Sequence, residues 1–272
     1  MEKEGIEELS HRYSIPKREV ELAALEEAIV PLRYQRNLGT IGVKGQFRLL
    51  KSRVGVVGAG GLGGLAVELL ARMGIGQMVV VDYDRFTESN LNRQLLSVEV
   101  NLGKPKVEAA RKRVAEINSS VELTGCFFRG DTASLQRVLT GCGAVLDCLD
   151  NLSSRFALEE ACQKLKVPLV HGAIAGFLGQ LTVIWPGAPL FSSIYGPPPS
   201  RDRGRGAEIQ LGNPASTPAL VASWQVNEAV KILAGMEDVL RNKLLIIDLL
   251  SNETRTIELS GSDSTGNRLQ NY

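Results

Sequence analysis

Residues 53–93 decide the fold. Arg53-Val54-Gly55-Val56-Val57 has the composition of a buried strand and runs into Gly58-Ala59-Gly60-Gly61-Leu62-Gly63, a G-x-G-x-x-G turn. A helical pattern follows from Gly64 to Met73, then a second strand, Met78-Val79-Val80-Val81, that ends on Asp82. Such a unit is a seat for a nucleotide. Glycines let the backbone come close to a phosphate, and the helix N-terminus supplies N–H groups and the positive end of a dipole. A carboxylate at the end of the second strand can accept hydrogen bonds from ribose hydroxyls. The glycines alone suit a dinucleotide equally well, so the loop beyond Asp82 has to decide.

The chain around this unit is an ordinary one. Its 272 residues suit one large α/β domain with appendages, and 44% hydrophobic residues suffice for a substantial core. A formal net charge of +1 gives no bulk attraction to nucleic acid or to a membrane surface. No apolar run reaches the length of a membrane span, and the first residues are acidic and polar, so a cytoplasmic protein is expected. The four cysteines, Cys126, Cys142, Cys148 and Cys162, form no C-x-x-C pair and read as small buried hydrophobes. With only His11 and His171 present, a histidine triad or a multi-histidine metal site has little to build on.

Before the glycine turn, residues 4–30 carry helical spacing broken at Pro16, which predicts one or two surface helices. Arg33-Tyr34-Gln35-Arg36-Asn37 reads either as a solvated helix start or as arginines aimed at phosphate. A glycine-marked loop and a short helix, Gly45 to Leu50, follow. After the turn, Gly103-Lys104-Pro105-Lys106 precedes an amphipathic helix from Val107 to Ile117, with Pro105 suited to the first turn. Lys106 near a helix N-terminus opposes the dipole; it is either solvated, the plainer reading, or placed there for an anion.

Further on, Val121–Phe127 reads as a strand and Ser134–Leu139 as a helix. Ala144–Cys148 is a buried parallel strand ending in Leu149-Asp150-Asn151, before a helix from Ser153 to Leu165. Asp150 and Asn151 therefore lie at a strand's carboxyl end, as the glycine turn and Asp82 do, which is where open parallel sheets bind ligands. Asp147 can be a local hydrogen-bonding group, while Asp150, in the loop, is the better candidate for metal or phosphate. Pro168–Ala173 is a strand whose His171 reads as a hydrogen-bonded structural residue. Gly179–Trp185 reads as a further strand, open to antiparallel pairing. Residues 186–216, with Gly196-Pro197-Pro198-Pro199 and Arg201, Arg203 and Arg205, read as a long mobile loop. A helix over Ala219–Leu233 and a hairpin of Lys243–Leu250 with Glu253–Leu259 complete the chain before a polar tail.

Five motifs in order carry a family resemblance: the glycine turn; Asp82-Tyr83-Asp84 with Ser89-Asn90-Leu91-Asn92-Arg93-Gln94; Lys104-Pro105-Lys106; Asp147-Cys148-Leu149-Asp150-Asn151; and Gln225–Lys231. Together they resemble the ThiF/MoeB/HesA family, bacterial relatives of ubiquitin-activating enzymes, from about Arg33 to Leu259. The resemblance implies an α/β fold, a Rossmann-like mostly parallel sheet flanked by helices, with antiparallel strands near the C-terminus. It divides the chain into a helical segment (1–32), an adenylyltransferase domain (33–260) containing a 186–216 crossover loop, and a flexible tail (261–272).

The activity it implies is ATP- and Mg²⁺-dependent adenylylation of the C-terminal glycine carboxylate of a small ubiquitin-like sulfur carrier ending in Gly-Gly, with release of pyrophosphate. Position by position, Gly58, Gly60, Gly61 and Gly63 form the phosphate turn, with Gly61 in contact. Asp82 takes the ribose. Asn90, Arg93 and Lys106 contact phosphates, and Asp84, Ser89 and Asn151 belong to the same nucleotide-binding group. Asp150 holds Mg²⁺, and Arg36 reaches into a neighbouring subunit's site, which implies a homodimer. Arg36, Arg93, Lys106 and Asp150 are thus the catalytic set.

Two departures from the family bear on the chemistry. Many members bind zinc through two C-x-x-C pairs; here the first would fall at Leu190–Ser193 and the second in the tail, and neither has a cysteine, so no zinc is expected. Some members carry a crossover-loop cysteine; Glu208 stands near that place and no cysteine follows Cys162, which excludes a thioester on that loop. Other readings use the same residues: another carboxylate, on a modified tRNA base or a peptide; a non-catalytic ATP-binding scaffold; or a nicotinamide oxidoreductase, which would leave Arg93, Lys106 and Asp150 without a common purpose. Near-neutral charge argues against tRNA, although the Arg201/Arg203/Arg205 loop could meet phosphates.

Overall fold

The computed structural model describes residues 1–188, 190–198 and 208–259. Helices α1 (Lys3–Tyr13) and α2 (Lys17–Glu26) precede α3 (Leu38–Lys51), β1 (Arg53–Val57), α4 (Gly61–Met73) and β2 (Gln77–Val81). Next come α5 (Lys106–Ile117), β3 (Glu122–Cys126), α6 (Thr132–Leu139), β4 (Ala144–Asp147), α7 (Leu152–Leu165), β5 (Leu169–Ala175) and β6 (Leu178–Ile184). The chain continues through α8 (Phe191–Tyr195), α9 (Glu208–Leu211), α10 (Ser216–Ala234), β7 (Lys243–Asp248) and β8 (Glu253–Glu258).

The strands form one sheet in the order β3-β2-β1-β4-β5-β6-β7-β8. Pairing is parallel from β3 to β5 and antiparallel from β5 to β8. This is the mostly parallel sheet with antiparallel C-terminal strands that the sequence led us to expect. Strands β1, β2 and β4 are buried on both faces, which explains their largely unbroken apolar runs, while β3 at the sheet's edge is mostly exposed. Val54, Val56, Met78 and Val80 face the layer of α4, α5 and α10. Val57, Val79, Val81, Val145 and Leu169 face α6, α7 and α8. Strand order reverses between β1 and β4, and a crevice opens there beyond the strands' carboxyl ends.

Three local expectations need correction. The helix before β1 begins at Leu38, not Gly45; Gly42, at φ 65°, kinks it, and helix lies on both sides of a stretch that reads as loop. Pro105 is the residue before α5 rather than inside its first turn, and Lys106 opens the helix. The 186–216 segment is not wholly loop, because α8 packs Leu190 and Phe191 into the core. Its Arg201, Arg203 and Arg205, and the tail from 260, lie outside the described residues. No helix among the described residues is long and apolar enough to cross a membrane.

Candidate functional site

A cleft of about 990 Å³ lies beyond the carboxyl ends of β1, β2 and β4 and runs along the sheet to β6 and β7. One end of it is built from the glycine turn. Gly58 sits at φ 95°, and a Cβ there would meet the Cys148 carbonyl oxygen at 2.4 Å, so only glycine brings the turn this close to β4. Gly60 precedes α4 with no side chain capping the helix, so the first N–H groups of α4 open toward the cleft. Gly61 lines the cleft beside Arg93 and Pro218. Gly63 does not line it. A Cβ on Gly63 would fall 1.7 Å from the Gly58 carbonyl oxygen, so this glycine lets α4 pack closely on the turn.

Asp82, only 8% exposed, holds the turn in shape. One carboxylate oxygen accepts from the Ala59 N–H at 2.6 Å and the other from the Asp84 N–H at 2.7 Å. Burial pushes its pKa up, against the Lys106 charge and those two N–H groups. Lys106 is not the solvated lysine of the plainer reading. It is 5% exposed, and its Nζ pairs with Asp84 at 2.9 Å, inside the cleft. A buried cation at a helix N-terminus needs such a counter-ion, because both burial and the dipole oppose its charge.

The loop after β2 folds back over the turn. Asn90, buried, accepts the Thr87 N–H through its Oδ1, which leaves its amide NH₂ available to an acceptor in the cleft. Ser89 shares a 3.0 Å hydrogen bond with Thr87. The Arg93 guanidinium donates to the Ser89 carbonyl and to Asn92. On the far wall Asp150 is exposed, and Asn151 donates to its carboxylate at 3.3 Å. Asn151 also caps α7 by accepting the Ser154 N–H at 2.9 Å, so its carbonyl is committed to the helix.

The fold therefore gathers Gly58, Gly60, Gly61, Asp82, Asp84, Ser89, Asn90, Arg93, Lys106, Asp150 and Asn151 around one cleft. Arg36 is not among the lining residues; it is exposed on the short helical turn Leu32–Asn37. Its neighbours are structural. Tyr34 is fully buried and donates to Glu21, and Arg33 donates to Asn118.

Sequence reasoning missed Gln94, Gln180 and Tyr195, which also line the cleft. Gln94 is 6% exposed, and its Oε1 is buried without a hydrogen-bond partner. Its position within Asn92-Arg93-Gln94 was the available signal. Gln180 and Tyr195 carried none, because strand β6 and α8 meet the site only through the fold.

The donor set suits a magnesium nucleotide. Among the described residues no cluster of three or more His, Cys, Asp or Glu could cage a metal. One exposed carboxylate at the rim is nevertheless what magnesium takes when phosphates and water supply its other ligands.

A SAMP-activating enzyme E1 from Haloferax volcanii is 36% identical over 228 residues, covering 83% of this chain and 84% of that protein. The adenylyltransferase and sulfurtransferase MOCS3 of Drosophila virilis is 38% identical over 84% of this chain. The chain spans about half the length of that relative, 51%. Among solved structures, E. coli MccB superposes with a TM-score of 0.73 at 18% identity, covering 89% of this chain and 74% of that one. A PaaA crystal structure gives 0.70 at 20% identity over 84% and 72%. These two likenesses speak to the fold. The ThiF family model matches residues 34–267, the span that holds the sheet and the whole cleft, and the chain belongs to the ThiF family.

Proposed function

We propose that the protein adenylylates the C-terminal glycine carboxylate of a small ubiquitin-like sulfur carrier, using ATP and Mg²⁺ and releasing pyrophosphate. One observation carries this reading. Cations, a helix N-terminus and a rim carboxylate converge on the glycine turn, in a cleft that continues into an apolar end at Ile174, Leu178 and Ile246. The polar end suits a triphosphate, and the apolar end suits an extended peptide tail. Exposed Phe177, Leu178, Leu211 and Leu250 offer apolar surface to the body of a carrier.

The chemistry needs no general base. A glycine carboxylate is ionised at neutral pH and is itself the nucleophile toward the α-phosphorus. Lys106, Arg93, the glycine turn and the N-terminus of α4 hold the phosphates, and Asp82 takes the ribose. Catalysis then lies in bringing two anions together and spreading the charge that develops on pyrophosphate. Mg²⁺, held by Asp150, would neutralise phosphate charge when bound. The activated acyl group then passes to another molecule's thiol or sulfide, and AMP leaves as the acyl–phosphate bond breaks. The chain's own thiols are poor nucleophiles, because burial raises Cys126, Cys148 and Cys162 and pushes Cys142 up to about 11.

Arg36 reads as a group delivered to the cleft of a second copy in a homodimer. It is exposed and lies outside its own cleft, and the 95–102 segment exposes Leu95, Val98 and Val100 for such a copy to cover.

The test is ATP–pyrophosphate exchange dependent on a small protein ending in Gly-Gly. Asp150→Ala is expected to lower it by about 10²–10³ or more. Full exchange in that variant would remove Asp150 from the metal. No exchange by the native chain with any such carrier would sink the reading.

A further inference from the structure

In the wall of the cleft, Tyr195 of α8 closes a ring of hydrogen bonds around Leu149, the residue before Asp150. On one side its hydroxyl meets His171 Nε2 at 2.8 Å, and His171 Nδ1 meets Asp147 Oδ2 at 2.7 Å. Asp147 in turn accepts the Leu149 N–H at 3.0 Å through its other oxygen. On the other side the hydroxyl accepts from Arg155 Nη1 at 3.1 Å, and Arg155 Nη2 donates to the Leu149 carbonyl at 2.6 Å. Gln180 Nε2 donates to the same hydroxyl.

The proton positions follow from this arrangement. The Asp147 carboxylate accepts, so Nδ1 carries the hydrogen and Nε2 is a lone pair. Tyr195 must then donate to His171, while its oxygen accepts from Arg155 and Gln180. One donor and two lone pairs are all a phenol has, so its capacity is spent. Asp147 and His171 are fully buried, and burial keeps the imidazole neutral. Both backbone groups of Leu149 are thus gripped by residues that the same hydroxyl ties together.

We infer that Tyr195 is a positioning residue that holds the Leu149–Asn151 turn, and with it Asp150, in place from the crossover segment. The inference rests on the adenylylation reading for its consequence, but the mechanical link does not. The crossover segment is held at both ends of α8: Glu159 accepts the Leu190 and Phe191 N–H groups at 2.8 and 3.0 Å at its head, and Tyr195 fastens its end.

The experiment compares Tyr195→Phe with Glu159→Gln in the full chain, by hydrogen exchange and by the Mg²⁺ dependence of pyrophosphate exchange. Tyr195→Phe keeps the ring packing and removes only the hydroxyl. The Leu149 and Asp150 amides are expected to exchange about tenfold faster in it, and to stay near the native rate in Glu159→Gln. The Mg²⁺ concentration for half-maximal rate is expected to rise about tenfold, with the rate at saturating Mg²⁺ changed about threefold or less.

Unchanged exchange at Leu149 and Asp150 in Tyr195→Phe would overturn the link, as would equal acceleration in both variants, which would mean that α8 had merely loosened. Should Tyr195→Phe not fold, Arg155→Lys, which cannot span the hydroxyl and the Leu149 carbonyl together, must reproduce the faster exchange or the link fails. If the native chain shows no pyrophosphate exchange, the functional reading falls while the hydrogen-exchange result still decides the link.

Discussion

Single residues show both what a motif conveys and what it hides. The G-x-G-x-x-G pattern is local and its conformational demand is real, so the tight turn of Gly58, Gly60 and Gly61 at the cleft was legible. Gly63 was grouped with them, yet its task is to let α4 press on the Gly58 carbonyl. Spacing alone cannot separate a glycine needed for a ligand from one needed for packing. His171 was legible as a structural residue, although its partners, Asp147 and Tyr195, come from distant parts of the chain. Burial lowers its pKa below the ordinary histidine value near 6.5. Between that value and the folded one, the unfolded chain binds more protons than the native one, so stability rises with pH. The contribution is complete above pH ~6.5 and is lost as pH falls. Urea midpoints at pH 7.5 and 5 should therefore converge in His171→Gln relative to the native chain. Buried carboxylates with raised pKa values, Glu21, Asp82 and Glu159, act in both proteins and cancel in the comparison. An unchanged pH slope in the variant would mean that His171 does not titrate differently on unfolding.

At the scale of elements, strands that obey a two-residue or fully apolar pattern were readable to within a residue or two at most ends. The misses have a common cause. Gly39 and Gly42 read as loop, yet α3 keeps its helix by concentrating the departure at Gly42. Helix α8 sits among prolines and has no periodic pattern. Its stability comes from Glu159, His171 and Arg155, which no local window contains. Helix α10 depends on similar distant bonds. Gln225, fully buried, donates to the Asp147 and Val170 carbonyls at 2.8 and 3.1 Å and so fastens the helix to the ends of β4 and β5. Gln225→Leu keeps much of the volume and leaves both carbonyls without that donor. It should lower unfolding free energy by about 2–4 kcal/mol, measured by denaturant titration. A loss within about 0.5 kcal/mol would show that other donors reach those carbonyls.

For the whole molecule, the site residues that share a cleft come from separate motifs: the glycine turn, Asp82 and Asp150 follow the ends of β1, β2 and β4, the loop after β2 brings Asn90 and Arg93, and the start of α5 brings Lys106, all gathered by one topology. Arg36 is the one predicted catalytic residue that this topology does not bring to its own cleft. If it serves a neighbouring subunit, Arg36→Ala and Asp150→Ala should each be inactive alone. Mixed in equal amounts and allowed to re-associate, they should regain about a quarter of native pyrophosphate exchange, since half the dimers are mixed and each carries one intact site. No recovery in protein proven to exchange subunits would place Arg36 in no neighbour's site.

The order of the strands also bears on synthesis. Strand β1 finishes between β2, its near neighbour in the chain, and β4, which pairs Ala144 with Val54. While the ribosome is still translating the stretch before β4, an apolar ribbon of β1 and β2 has one flank with nothing to bond to. Such a flank invites association with another nascent chain. A strand paired on both flanks in the finished protein is thus, for a time, the one most in need of a chaperone's cover.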